Sequence, residues 1–289
     1  MNAPPRLGPI AYSVTLVPDL KRCASAYCEN LHQQVAHACE LSTESATALG
    51  VPELAGSRAQ LLANKLGRRW LWMIETPELP PRNALRTHGW LAQEVLVADV
   101  DALVAALDAA FFTILRPPAD LDVSDRIRAS QVQGPAGEVL YLTQVRPPVP
   151  PFELPSCKAP VDHLFIPVLS TPDRERSLAE YAGIAKGEGL CFDTRISVVN
   201  QELGLPLEER HPVATLQLAG NALIEIDSIS LATPPVQDLC LGTASIVFES
   251  SAAAPAHAIC AQTGPFAGRC VSHHRGNAGE RYALLHSNQ

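Results

Sequence analysis

Glu225 stands in the apolar run Leu223-Ile224-Glu225-Ile226. A carboxylate buried there without a partner is costly. If the side chain points inward, a metal or a cation such as Arg195 is expected beside it. The other reading is that strand alternation turns it to solvent. His273-His274 lies in a Gly-flanked stretch ending at Gly276, which reads as a turn. Such histidines are more often solvated than bound, and neighbours on a strand face opposite ways. His88, just before Gly89-Trp90, reads as a loop residue. The eight cysteines form no C-x-x-C pair, so a zinc cluster has no support and free or buried thiols are expected. Cys23 and Cys28 fall on a helix face beside Tyr27, where packing explains them. No G-x-S-x-G elbow, phosphate-binding P-loop or G-x-G-x-x-G after a strand is present.

The elements that must carry these residues repeat. Pro18-Asp19-x-x-Arg22-x-x-x-x-Tyr27 matches Pro172-Asp173-x-x-Arg176-x-x-x-x-Tyr181, and Leu49-Gly50-Val51-Pro52 matches Leu203-Gly204-Leu205-Pro206, at one offset of 154 residues. Two blocks keeping one offset indicate a duplication. Between the halves, Arg146 to Cys157 holds five prolines in twelve residues, which excludes helix and central strand. In the first half, Ala11 to Val17 reads as a strand and Asp19 as a cap. Leu20, Cys23, Tyr27 and Leu31 give one apolar helix face. Trp70 to Ile74 is a strand. The order recurs with strand Leu91 to Val97, cap Asp99, a helix from Val100 to Leu107, and strands Ile127 to Gln133 and Val139 to Val145. Toward the end, Thr243 to Glu249 reads as strand, Ala252 to Gln262 as a weak helix, and Arg281 to Leu285 as strand. Helices preceding groups of strands predict α+β layers with curved mixed sheets.

With 289 residues, 47% of them hydrophobic and 18% charged, the chain can fill two cores. The net charge of −8 argues against nucleic acid, and no apolar run is long enough to span a bilayer. A cytoplasmic protein with a small-molecule ligand, and neither a nucleic-acid nor a membrane partner, is expected.

Val17 to Tyr27, Glu94 to Leu103 and Gly134 to Leu142, with Asp162-His163-Leu164 and Gly220 to Asp227 in the second half, resemble the strands and hairpins of the vicinal-oxygen-chelate superfamily of glyoxalases, bleomycin-resistance proteins and extradiol dioxygenases. The resemblance implies four βαβββ modules paired into two glyoxalase-like domains, 1–146 and 158–289, joined by linker 147–157. Each domain would curve into a cup, with a divalent metal at its floor acting as Lewis acid. The ligand positions fall on Tyr12, Trp72, Ala92 and Tyr141 in the first half, and on His163, Glu225, Ser245 and Ala283 in the second. The first set offers no normal metal ligands; Tyr12, Trp72 and Tyr141 would line an apolar pocket or simply fill a core. In the second, His163 and Glu225 would hold zinc, nickel, iron or manganese, or act without metal as an acid/base pair, with Ser245 touching substrate. Whether modules pair within the chain or across a homodimer stays open.

The resulting expectation is an enzyme acting on a small oxygenated molecule, by enediolate or dioxygenase chemistry, in the second half. The rival is a metal-free protein of bleomycin-resistance type that sequesters a flat hydrophobic ligand on Tyr12, Trp72, Trp90 and Tyr141.

Overall fold

The computed structural model describes residues 6–122 and 124–287. Each module opens with a long strand, which in three of four cases leads through a capping aspartate into a helix. Module 1 comprises β1 (Leu7–Val17), α1 (Leu20–Asn30), β2 (Gln34–Glu40), α2 (Thr43–Ala48), β3 (Arg58–Ala63) and β4 (Arg69–Glu75). Module 2 comprises β5 (Gly89–Val97), α3 (Val100–Ala105), β6 (Thr113–Leu121), β7 (Ser124–Gln133) and β8 (Val139–Val145). Module 3 comprises β9 (Val161–Thr171), α4 (Arg174–Ala185), β10 (Gly189–Arg195), α5 (Ser197–Leu203), β11 (Arg210–Leu218) and β12 (Ala222–Ser228). Module 4 has β13 (Gly242–Ser250), β14 (Ile259–Ala261), β15 (Arg269–Arg275) and β16 (Arg281–His286).

Asp19, Asp99 and Asp173 cap α1, α3 and α4, each accepting a hydrogen bond from the backbone N–H three residues on. Asp173→Ala should cost about 1 kcal/mol of stability, measurable by urea unfolding. The helix expected over Ala252 to Gln262 does not form. This stretch has no capping Asp, carries Pro255, and contributes only the short strand β14. No helix among the described residues is long and apolar enough to cross a membrane.

The strands form two curved, mixed, eight-stranded half-barrels. Their orders are β14-β15-β16-β13-β1-β4-β3-β2 and β10-β11-β12-β9-β5-β8-β7-β6. Module 1 therefore shares a sheet with module 4, through β1 and β13, and module 2 with module 3, through β5 and β9. This corrects the expectation that each half of the sequence, 1–146 and 158–289, folds its own cup. Duplicated modules present equivalent first-strand edges, so the repeat alone does not say which edges meet. Both pairings lie within one chain. Each cup is a single curled sheet, here called the outer cup (modules 1 and 4) and the inner cup (modules 2 and 3).

Between the two half-barrels lies the largest core, drawing on β1, α1, β5, α4 and β13. Trp90, Tyr181, Phe248 and Tyr282 pack there with tilted rings, and the Trp90 indole donates to the Arg281 carbonyl at 2.7 Å. Trp90 is thus packed between the half-barrels, on a different sheet from Tyr12 and Trp72. Cys260 and Cys270, on β14 and β15, form a disulfide, which overturns the expectation of free thiols for this pair.

Candidate functional site

The inner cup has a polar floor in an apolar wall. Every residue of β5 is buried, yet the strand carries Glu94. Register places Glu94 opposite Ile166 of β9 and Tyr141 of β8. One row along, Ala92 and Glu225 flank Val168 from either side. Asp227, two residues beyond Glu225, shares its strand face and is fully buried. Thr215 is paired with Glu225 from β11. The Tyr141 and Thr215 hydroxyls and both Asp227 oxygens are buried with no hydrogen-bond partner. Orphaned polar atoms are rare in folded interiors, and several around one patch of sheet mark a place prepared for something else to bond.

Burial sets the electrostatics. It pushes the Glu94 carboxyl up to about 8, with the like charge of Glu225 adding to the effect. Glu225 is raised to about 7 by burial. Asp227 lies well above the usual carboxylate range, through burial and then the charges of Glu225 and Glu94. Tyr141 is also raised, by burial and then by Asp227, Glu225 and Glu94.

Above this floor is a cavity of about 130 Å³, lined by Glu94, Tyr141, Glu225, Phe192, Ile196 and Val198. A chamber of about 240 Å³ adjoins it, the two sharing Gln131, Leu121, Asp122 and Arg195. At this junction Arg195 pairs with Asp122, beside the β6–β7 turn, and with Glu208, before β11. The arginine thereby clasps two loops across the entrance.

The structure separates the residues expected to act together. Tyr141 and Glu225 do line the inner cup. His163 does not; it lines another hollow with Asn64, Arg68 and Asp162. The proposed His163–Glu225 pair is therefore not formed, because strand β9 turns His163 toward the β3–β4 turn. Tyr12, Trp72 and Ser245 belong to the outer cup's sheet. There Tyr12 and Trp72 pack on Phe266, with Trp72 and Phe266 centroids 5.2 Å apart, and Trp72 also borders a hollow of about 290 Å³ with Cys39, Ser45 and Pro265. Ser245 is buried with an unpartnered hydroxyl beside Val14. His273 and His274 lie on strand β15 rather than in a turn, His274 stacking on Tyr282.

The metal expected between His163 and Glu225 loses its imidazole by this placement. Among the described residues no three His, Cys, Asp or Glu side chains are grouped to hold an ion. The inner cup's donors thus do not fit the three-ligand metal set implied by the resemblance. Sequence reasoning missed Glu94 and Asp227, and Arg195, named as a partner for Glu225, pairs instead with Asp122 and Glu208. The visible signal was a carboxylate within the otherwise buried-looking run Gly89-Trp90-Leu91-Ala92-Gln93-Glu94-Val95, two residues from the position assigned to Ala92.

No family model and no curated protein matches this sequence. Solved structures do. Glyoxalase I from Zea mays superposes over 96% of this chain and 92% of its own, at 13% identity and TM-score 0.64. A putative dioxygenase from Bacillus subtilis superposes over 99% of this chain and 87% of its own, at 9% identity and TM-score 0.64. Likeness at these identities speaks for architecture and not for reaction. By that architecture, four βαβββ modules paired into two cups, the chain has the vicinal-oxygen-chelate fold.

Proposed function

We propose that the inner cup is an active site that binds a small oxygenated organic molecule and moves a proton on it between the Glu94 and Glu225 carboxyls. The observation that carries this reading is the enclosed carboxyl pair, raised toward neutrality and accompanied by unpartnered hydroxyls. A carboxyl whose proton affinity lies near ambient pH can serve as acid and as base in one cycle. The ionised member takes a proton from the carbon beside a carbonyl. The protonated member and the Tyr141 hydroxyl donate to the enediolate oxygen that develops. Return of the proton to the neighbouring carbon completes an isomerisation, with no oxidant consumed. The cavity, of about 130 Å³, suits a molecule of few heavy atoms.

The test is solvent exchange. Small hydroxyaldehydes, hydroxyketones and 2-oxo acids are incubated with the protein in deuterated water, and loss of the proton beside the carbonyl is followed by NMR. Protein-dependent exchange of at least one class is expected. If no class exchanges or shifts the melting temperature, the reading fails. Arg195→Ala should speed ligand entry and exit together by roughly tenfold, since it removes the ion-pair clasp and leaves the floor untouched. Stopped-flow binding checks this.

Sequestration of one flat hydrophobic ligand on Tyr12, Trp72, Trp90 and Tyr141 together loses its place, because Tyr12 and Trp72 stand on one sheet and Trp90 and Tyr141 on the other, with only Tyr141 lining the inner cup.

A further inference from the structure

The hollow that received His163 lies outside both cups. It measures about 220 Å³ and is walled by the β3–β4 turn, the end of the proline-rich linker, and the Gly220-Asn221 turn between β11 and β12. Its chemistry is built from the inside out. Asp162 is buried and its carboxylate accepts three hydrogen bonds: from Asn64 Nδ2 at 2.7 Å, from His163 Nδ1 at 2.8 Å and from the Lys158 backbone N–H at 3.0 Å. Asn64 is fixed in turn, its Oδ1 accepting from the backbone N–H groups of Leu66 and Arg68. With Nδ1–H committed to a carboxylate, the tautomer of His163 is set and Nε2 is left as the free nitrogen. Nε2 has no hydrogen-bond partner among the described residues, though His163 is only 4% exposed. Arg68 and Lys158 line the same hollow, and neither side chain makes an ion pair or hydrogen bond among the described residues.

We propose that this hollow is a second binding site, for a phosphate group held by Arg68 and Lys158 and hydrogen-bonded to His163 Nε2. Asp162 lines the hollow as well, and its carboxylate is engaged by the three donors. Arg68 and Lys158 set two positive charges against the one negative charge of Asp162, so the field inside the hollow favours an anion. The wall is pre-organised, because the β3–β4 turn and the linker are tied to one another through Asp162 and need not be ordered on binding. A bound phosphate makes the protonated imidazole favourable, so Nε2–H donates to a phosphate oxygen while Nδ1–H keeps Asp162. Burial and Arg68 lower the proton affinity of His163, and Asp162 opposes them; an anion beside Nε2 acts in the same direction as Asp162.

The experiment is an imidazole nitrogen NMR titration of the full chain against pH, with inorganic phosphate, with glycerol phosphate, and with chloride at matched ionic strength. Either phosphate compound is expected to move the His163 Nε2 resonance and raise its titration midpoint, and chloride is not. Tighter binding of inorganic phosphate assigns the free ion; tighter binding of glycerol phosphate assigns a phosphorylated metabolite. Arg68→Ala and Lys158→Ala should each weaken binding roughly tenfold. Both side chains are exposed, so the variants should melt as the parent does. The proposal is overturned if chloride reproduces the shift, if neither phosphate compound binds, or if the double variant binds as the parent does.

Discussion

Glu225→Gln is expected to slow proton exchange on a bound substrate by about 10²–10⁴-fold while making the protein more stable in alkali. The two effects share one cause. The folded-state proton affinities of Glu94 and Glu225 are raised, to about 8 and about 7, above the unfolded value of about 4.3. A carboxyl raised in this way contributes stability that is complete below about pH 4 and is lost as pH climbs through the folded value. Near pH 9 both groups must ionise in an enclosed site or the site must open. An amide at 225 removes one charge and relieves its neighbour, a gain of about 2–4 kcal/mol near pH 9 that shrinks toward zero near pH 4. Thermal melts of parent and variant across pH measure the stability half, and deuterium incorporation the chemical half. Unchanged exchange in Glu225→Gln would remove the carboxyl from the mechanism. A stability gain independent of pH would remove the electrostatic explanation.

Glu138→Ala should destabilise the fold by about 3–5 kcal/mol. Glu138 is buried beneath the β7–β8 hairpin, where it accepts from Tyr27 Oη at 2.6 Å and from the Ala136 backbone N–H at 2.9 Å. Truncation strands both donors without water and leaves a void. The hairpin has a twin. Glu280, beneath the β15–β16 turn, accepts from Tyr181 Oη at 2.8 Å and from the Ala278 N–H at 2.9 Å. In both turns the glutamate folds under a glycine: a Cβ on Gly134 or Gly276 would stand 2.2 Å or 2.0 Å from its carboxylate oxygen. These bonds join the helix of module 1 to module 2, and the helix of module 3 to module 4. The sheets join the modules the other way, so the two half-barrels are held crosswise. Urea unfolding of Glu138→Ala and Glu138→Gln gives the check; the amide keeps an acceptor for Tyr27 and should cost much less.

Local elements were legible wherever period and punctuation agreed. The Asp-capped helices, the long first strands and the closing hairpins all follow from the order of apolar and turn residues. The Pro255 region was misread because composition alone, rich in alanine, resembles a helix that its proline and missing cap prevent. The repeat Gly134-Pro135-Ala136-Gly137-Glu138 and Gly276-Asn277-Ala278-Gly279-Glu280 was a stronger signal of the last module than its strand pattern. Its offset of 142 rather than 154 hides it from a search at one period. The site was legible only in part. Glu225 inside an apolar strand was a sound lead, and Tyr141 joins it. The partner was misassigned because the direction of a side chain near the start of a strand depends on bulges: β5 and β9 pair with register shifts between Trp90 and Ala92, between Glu94 and Val95, and between Val95 and Val97. Each shift flips the face that alternation would assign. His163 lies in the stretch of β9 that these shifts disturb, whereas Glu94 follows Ala92 by plain alternation, with no shift between them.

Because the modules of one half-barrel lie between those of the other along the sequence, synthesis has an order. Modules 2 and 3 emerge from the ribosome consecutively, so β5 and β9 can meet while the chain is still growing. Strand β1 is made first and must wait for β13, more than two hundred residues later, with its apolar edge unpaired in the interval. A nascent chain stalled before residue 242 should therefore hold a finished inner cup and a strand open to aggregation or chaperone capture.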